Sequence, residues 1–270
     1  MNHFTYRGDE LYCENVAVQK IAAEIGTPFY LYSHATLTRH FKAFSEAFAG
    51  IKKIICFSAK ANTNLAILKL FATAGCGLDI VSGGELFRGI QAGFTPDRIV
   101  YSGVGKRVDE IDYALKSDIL MFNLESLDEL KLINQRAGQF NQRARIAIRV
   151  NPDVDPKTHP YISTGLKKNK FGIDIATALE GYRLAASLEN IEVTGIDCHI
   201  GSQITEAGPF EDALNSIKTL IQQLKSELGI QIQYIDMGGG LGITYADETP
   251  PSLKEYAEAF MENLEGMDLT

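Results

Sequence analysis

One lysine stands where a strand should end. In residues 55–60, Cys56, Ser58 and Lys60 share one face and Ile55, Phe57 and Ala59 the other, because strand side chains alternate. The bulky apolar face belongs against a helix layer, so Lys60 is expected to point inward at the strand's end. Such a lysine is either a side chain that has reached solvent or an amine able to form a Schiff base with an aldehyde. This strand alone leaves both readings open. Two further stretches alternate in the same way. Arg145, Ala147 and Arg149 oppose Ile146, Ile148 and Val150, and Val193, Gly195, Asp197 and His199 oppose Thr194, Ile196 and Cys198. Arg149, Asp197 and His199 are therefore expected inside, with Asp79 and Asp236 as candidates from two other strands. Mixed charges converging on one interior must pair with each other or meet a ligand. A mutually satisfied polar plug is the plain alternative.

The run Asp236-Met-Gly-Gly-Gly-Leu-Gly-Ile243 is more pointed. Consecutive glycines after a strand let backbone N–H groups approach an anion closely. In barrels of parallel strands, phosphate sites recur after the last two strands. A tight turn and a dinucleotide fingerprint are the competing readings. Against the second, the run lies late in the chain and lacks a βαβ unit with a downstream acidic residue. His199-Ile-Gly-Ser-Gln203 offers a second loop, with the hydroxyl of Ser202 beside an inward histidine. A phosphate held by two adjacent loops, a lysine across the barrel and a histidine between them describe a pyridoxal-phosphate pocket.

The elements that must position these residues follow from periodicity. Short β-branched runs at 54–57, 78–81, 99–101, 120–122, 146–150, 193–197 and 232–237 alternate with amphipathic segments. Leu65, Leu68, Phe71 and Ala72 form one helical stripe, and Leu127, Leu130 and Ile133 another. Asn62 or Thr63, Ser126 and Ser252 read as helix caps, and Gly75, Gly93 and Gly229 as helix stops. Strand–helix repetition implies an α/β fold on a parallel sheet. An open doubly wound sheet is possible, but an unbroken sevenfold repeat favours a (β/α)8 TIM barrel. Seven strands are counted and the eighth would begin at Thr270, so the barrel is expected to lack its eighth strand and to expose two edges. Residues 1–32 do not fit the repeat. Phe4-Thr-Tyr6 and Glu10-Leu-Tyr12 read as a hairpin turning at Gly8 and Asp9. They are assigned to a second, incomplete β-domain, and residues 33–270 to the barrel, starting with a helix capped by Ser33.

Composition narrows the function classes. The 270 residues are 45% apolar and 22% charged, ordinary for a globular protein. The formal charge of −8 argues against nucleic-acid or anionic-membrane binding, both of which need a basic face. Cys13, Cys56, Cys76 and Cys198 form no C-x-x-C pair and no His-rich cluster joins them, so neither a metal site nor a disulfide framework is expected. A reducing compartment, hence the cytoplasm, fits. The first ten residues hold no apolar signal-peptide core and no run of 18 apolar residues occurs.

A family resemblance rests on motifs spread in order along the chain. They are Phe57-Ser-Ala-Lys-Ala-Asn62, Leu78-Asp-Ile-Val-Ser-Gly-Gly-Glu85, Tyr101-Ser-Gly-Val-Gly-Lys106 and Phe122-Asn-Leu-Glu-Ser126. Arg149-Val-Asn-Pro-Asp153, Ser163-Thr-Gly165, Asn169-Lys-Phe-Gly172, His199-Ile-Gly-Ser-Gln203 and Gly238-Gly-Gly-Leu-Gly242 continue them. The chain resembles the ornithine/diaminopimelate/arginine decarboxylases, fold-type III pyridoxal-phosphate enzymes of the alanine-racemase-like class. The Ser-Thr-Gly and Ile-Gly-Ser-Gln wording is similar to members acting on diaminopimelate. The resemblance implies pyridoxal 5'-phosphate joined to Lys60, with His199 on the pyridine ring. Gly238, Gly239, Gly240 and Ser202 would bind the phosphate, and Asp79 and Arg149 would line the pocket. Lys60 and His199 would be catalytic, converting the small-molecule substrate meso-diaminopimelate to L-lysine and carbon dioxide in a homodimer. Family members continue into an eighth strand bearing Glu-Pro-Gly-Arg and a C-terminal β-domain. Neither occurs here, so the chain is expected to be truncated and catalytically incomplete. A decarboxylase for ornithine, arginine or carboxynorspermidine, or a non-catalytic cofactor-binding barrel, are the other readings.

Overall fold

The computed structural model describes residues 2–154 and 171–270. The chain forms two compact units, Met1–Ala49 and Gly50–Thr270. In the first, β1 (Phe4–Arg7) and β2 (Glu10–Cys13) make an antiparallel hairpin, and β3 (Val16–Ala17) extends it. Helices α1 (Val18–Ile25) and α2 (His34–Ala47) follow. Ser33 caps α2 as expected, its hydroxyl accepting from the Thr36 N–H at 3.0 Å. Glu14, at a φ of 56°, accepts from Ser33 Oγ at 2.7 Å and from the Ala35 N–H at 2.9 Å. These bonds tie the start of α2 to the end of β2, so α2 groups with the N-terminal strands.

The second unit alternates strands and helices. In order it contains β4 (Cys56–Ser58), α3 (Leu65–Thr73), β5 (Gly77–Ile80), α4 (Gly83–Ala92), β6 (Ile99–Tyr101), α5 (Val108–Ser117) and β7 (Met121–Leu124). Then come α6 (Leu127–Gln139), β8 (Ala144–Asn151), β9 (Ile173–Asp174), α7 (Ile175–Ser187), β10 (Ile191–Asp197), α8 (Gly208–Leu228), β11 (Tyr234–Asp236) and α9 (Leu253–Leu264). The strands pair in parallel in the order β4-β5-β6-β7-β8-β10-β11, with the short β9 joined to β8. This is a curled α/β half-barrel of seven strands, built in the TIM manner. Thr270 lies along β11: its N–H donates to the Gln233 carbonyl and its own carbonyl accepts from the Ile235 N–H, both at 2.9 Å.

The helices bury one stripe each against the strands. Leu68 and Phe71 of α3, Leu86 of α4, and Leu130 and Ile133 of α6 are buried, each worth about 1.5–3 kcal/mol. Inside the curl, Cys56, Val100, Met121, Ala147 and Tyr234 pack together towards the N-terminal ends of the strands. That layer is tight. A Cβ on Gly77 would come within 2.8 Å of Cys56 Sγ, and one on Gly195 within 3.2 Å of Met121 Sδ.

Two local expectations are corrected. Helix α3 is capped by Asn64, whose Oδ1 accepts from the Ala66 N–H at 2.9 Å, while Asn62 supports the turn before it. Val193 faces the helix layer, because it pairs with Ile146 ahead of a bulge in β10. Among the described residues no helix is long and apolar enough to cross a membrane, and no cluster of three metal-ligating side chains occurs.

Candidate active site at the strand ends

The C-terminal ends of the strands carry a layer of polar side chains above the apolar one. Its first half is a chain of short-range bonds. Ser58 Oγ donates to Asp79 Oδ2 at 2.7 Å, and Asn123 Nδ2 donates to Ser102 Oγ at 3.1 Å and to Asp236 Oδ2 at 2.9 Å. The other oxygen of Asp236 accepts from the Gly238 N–H at 2.9 Å, which turns the chain into the glycine run. Burial pushes the Asp79 carboxyl above its ordinary value; the hydroxyls of Ser102 and Ser58 pull it back, and Asp236 pushes it further up.

The second half is ionic. Arg149 Nη1 donates to Glu125 Oε1 at 2.8 Å, both side chains being buried, and Arg149 Nε lies 4.0 Å from Asp197. The guanidinium also sits 5.0 Å from the centre of the Phe171 ring. Glu125 Oε2 accepts from the Gly172 N–H at 2.9 Å. Burial raises the Asp197 carboxyl well above its ordinary value; the neighbouring Asp236 adds to this and Arg149 opposes it. Arg149 with Glu125, Asp197 and Asp236 is in part the polar plug that alternation allowed.

A buried lysine braces this layer from outside. Lys106 Nζ donates to the carbonyls of Gly103 at 2.9 Å and Asn123 at 2.7 Å and pairs with Glu129 at 2.6 Å. Glu129 in turn accepts from the Glu125 N–H at 2.7 Å. The backbone under Asn123 and Glu125 is thus fixed by two charged groups.

The alternation expected to run through Lys60 is corrected: β4 ends at Ser58, and Lys60 is exposed in a 3-10 turn (Ala59–Ala61) directly after it. Its charge is felt at Asp79, Glu85 and His199, which places it on the same side of the sheet as those groups. His199 follows β10. Burial first, then the charges of Arg149 and Lys60, pushes its imidazole down to about 4. The ring is therefore neutral at physiological pH. It lies against the glycine run: a Cβ on Gly238, whose φ is +64°, would come within 2.6 Å of His199 Nδ1.

The two loops beyond β10 and β11 are zipped together. The Ile204 N–H donates to the Gly240 carbonyl at 2.8 Å and the Gly242 N–H to the Ile204 carbonyl at 2.9 Å. The Ile243 N–H donates to Gln203 Oε1 at 3.0 Å, and Gln203 Nε2 returns a bond to the Ile243 carbonyl. Gly240, at a φ of +106°, passes so close to Gly201 that a Cβ would meet its carbonyl oxygen at 2.3 Å. Gly239 faces open space and Ser202 is exposed.

The structure thus brings Lys60, Asp79, Arg149, His199, Ser202 and Gly238–Gly240 to one end of the sheet. Ser163-Thr-Gly165, Asn169 and Lys170 lie outside the described residues. Alternation in the first, fifth and sixth strands left Asn123 and Glu125 without a role. Extending it to β7 finds both, since Met121, Asn123 and Glu125 share a face opposite Phe122 and Leu124.

A family profile described as "Pyridoxal-dependent decarboxylase, pyridoxal binding domain" matches residues 34–268. The diaminopimelate decarboxylase of Haemophilus influenzae is 52% identical over 264 residues, covering 98% of this chain and 63% of that protein. The crystal structure of diaminopimelate decarboxylase from Helicobacter pylori complexed with L-lysine superposes with a TM-score of 0.90 at 43% identity, covering 94% of this chain and 64% of that one. The diaminopimelate decarboxylase from M. jannaschii in complex with L-lysine gives 0.90 at 37% identity, covering 97% and 62%. The chain spans less than two-thirds of the length of the curated relatives it matches.

Proposed function

The chain belongs to the pyridoxal-dependent decarboxylases, whose pyridoxal-binding domain it matches over residues 34–268, and we propose that its site holds pyridoxal 5'-phosphate for decarboxylation of an amino acid. The observation that carries this reading is the packing of the neutral His199 ring against Gly238, at the start of a glycine loop with open backbone at Gly239. A flat pyridine bearing an aldehyde and a phosphate fits the donor set. Lys60 offers the amine that an aldehyde takes up. Gly238, Gly239 and Gly240 offer backbone N–H groups, and Ser202 a hydroxyl, for the phosphate. His199 offers an uncharged ring face. Asp79 and Arg149 line the pocket, and among the described residues the buried Nε of Arg149 has no hydrogen-bond partner.

When bound, pyridoxal phosphate supplies an electron sink for the pair left behind as carbon dioxide departs. The chain's own residues bind and orient. Lys60 and His199 are the residues assigned to the reaction: Lys60 Nζ anchors and releases, and the His199 ring holds the plane. Glu125 keeps Arg149 in place, and the zip between Ile204 and Gly240 keeps the phosphate loops together. The small-molecule substrate we assign is meso-diaminopimelate, yielding L-lysine and carbon dioxide, on the likeness to diaminopimelate decarboxylases at about half identity. The working form we assign is a cytoplasmic homodimer.

The test is chemical. Protein mixed with pyridoxal phosphate and reduced with borohydride should carry the adduct on Lys60, located by peptide mass spectrometry. An adduct on another lysine, or a visible cofactor band unchanged in Lys60→Ala, would overturn the assignment.

A further inference from the structure

We propose that a one-residue bulge at Thr194, latched by the Tyr182 hydroxyl, is what aims Asp197 and His199 into the barrel, making Tyr182 a positioning residue for the site. The register of β10 on β8 carries this. Glu192 pairs with Arg145 and Val193 with Ile146, but then Gly195 rather than Thr194 pairs with Ala147, and Asp197 pairs with Arg149. Thr194 is extra. Side chains alternate with period two, so one extra residue reverses the face of every residue after it. With residues 191–193 held in this register and Thr194 paired in line with Ala147, Ile196 and Cys198 would take the interior, and Asp197 and His199 would face the helices.

Tyr182 supplies what the bulge removes. It stands on α7 and is fully buried. Its hydroxyl donates to the Gly195 carbonyl at 2.9 Å and accepts from the Ile148 N–H at 3.3 Å. A bulge interrupts the ladder, and a buried backbone group left unpaired is strongly unfavourable. One hydroxyl that both donates and accepts answers a group on each strand. Thr194 is itself anchored on both sides: its hydroxyl donates to the Ile146 carbonyl at 3.2 Å, and its carbonyl accepts from the Gln233 N–H at 2.9 Å. Gly195 completes the device. A Cβ there would lie 3.0 Å from the Tyr234 carbonyl oxygen, so the slipped register would crowd Thr194 against the neighbouring strand.

The register claim concerns the polypeptide alone; only its catalytic consequence rests on the pyridoxal reading. The test is therefore made on the full chain without cofactor. Tyr182→Phe keeps the ring and removes the hydroxyl. Alkylation of Cys198, followed by peptide mass spectrometry, should speed up about tenfold, the factor associated with one buried hydrogen bond, while Cys76 stays protected. The His199 imidazole, followed by NMR, should titrate at higher pH than in the wild type. Deleting Thr194 from the same variant makes the alternation regular with His199 still inward, and should restore both readings. Unchanged Cys198 and His199 in Tyr182→Phe would overturn the proposal. Equal acceleration at Cys76 and Cys198 would also overturn it, since that marks general loosening. If Tyr182→Phe gives no soluble protein, deletion of Thr194 with Tyr182 intact decides. Retained wild-type titration of His199 supports the register argument, and titration in the ordinary range overturns it. A failure to bind pyridoxal phosphate would leave these readings untouched, so the two proposals fail separately.

Discussion

Asn123 donates to Asp236 at 2.9 Å although their strands, β7 and β11, are separated in the sheet by β8 and β10. Only a strongly curled sheet brings such side chains into contact across its concave face. The same amide reaches Ser102, so one side chain couples the middle of the sheet to its edge.

Replacing that amide by a carboxylate should expose its role. Asn123→Asp sets a second acid against Asp236 in a poorly solvated place. Urea unfolding should show a loss of about 1–3 kcal/mol at neutral pH. The pair's first proton then binds more tightly in the folded state than in the unfolded chain. The loss should therefore shrink as pH falls and the pair takes up that proton.

The Arg149–Glu125 pair is buried, and removing one partner leaves the other uncompensated. Arg149→Met should cost about 3–5 kcal/mol in chemical denaturation. The double variant Arg149→Met, Glu125→Gln should recover a substantial part of that loss. Strict additivity of the two single changes would argue that the pair is not coupled.

Two adjacent glycines make a matched comparison. Gly238→Ala meets both a positive φ and the His199 ring, whereas a Cβ on Gly239 meets nothing within 4 Å. Gly238→Ala should lose about 1–2 kcal/mol from the backbone alone and weaken retention of pyridoxal phosphate through displacement of His199. Gly239→Ala should change stability much less. Equilibrium dialysis of the cofactor alongside thermal melts separates the two effects.

The pH dependence of stability should carry a signature of His199. Its folded-state value lies near 4, against an ordinary 6.5. Between those values the unfolded chain binds a proton that the folded chain refuses. The stabilisation of the neutral ring is thus complete above the ordinary value and is lost as pH falls towards the folded one. The whole window amounts to roughly 3 kcal/mol. The raised carboxyl of Asp197 acts in the opposite direction, but it is present in both proteins when wild type is compared with His199→Gln. Between pH 7 and pH 4.5 the wild type should lose more stability than the variant, read from urea midpoints.

Much of the architecture is legible in the sequence. The sevenfold strand–helix repeat, the caps at Ser33, Ser126 and Ser252, and the stops at Gly93 and Gly229 all stand in the structure. Each is a local signal, written within one or two turns or one pleat. Among the described residues, the elements that escaped are β3 and β9, two residues each, α1, of eight, and the 3-10 turns Ala59–Ala61 and Pro96–Arg98. They are too short for a period to declare itself.

The site divides in the same way. Residue type and position near a strand end mark Lys60 and the glycine run, and alternation marks Arg149, Asp197 and His199, because both are properties of the chain itself; the 3-10 turn that carries Lys60 is not legible from alternation. Which groups pair was decided by the curl of the sheet. The contact of Asn123 with Asp236, the clamp of Glu125 on Arg149 and Gly172, and the packing of His199 on Gly238 join residues far apart in sequence. The bulge at Thr194 is the clearest case. Regular alternation along β10 placed His199 correctly but Val193 on the wrong face, since period two cannot register an inserted residue. The tertiary structure supplied the reversal, through a tyrosine hydroxyl delivered from a neighbouring helix.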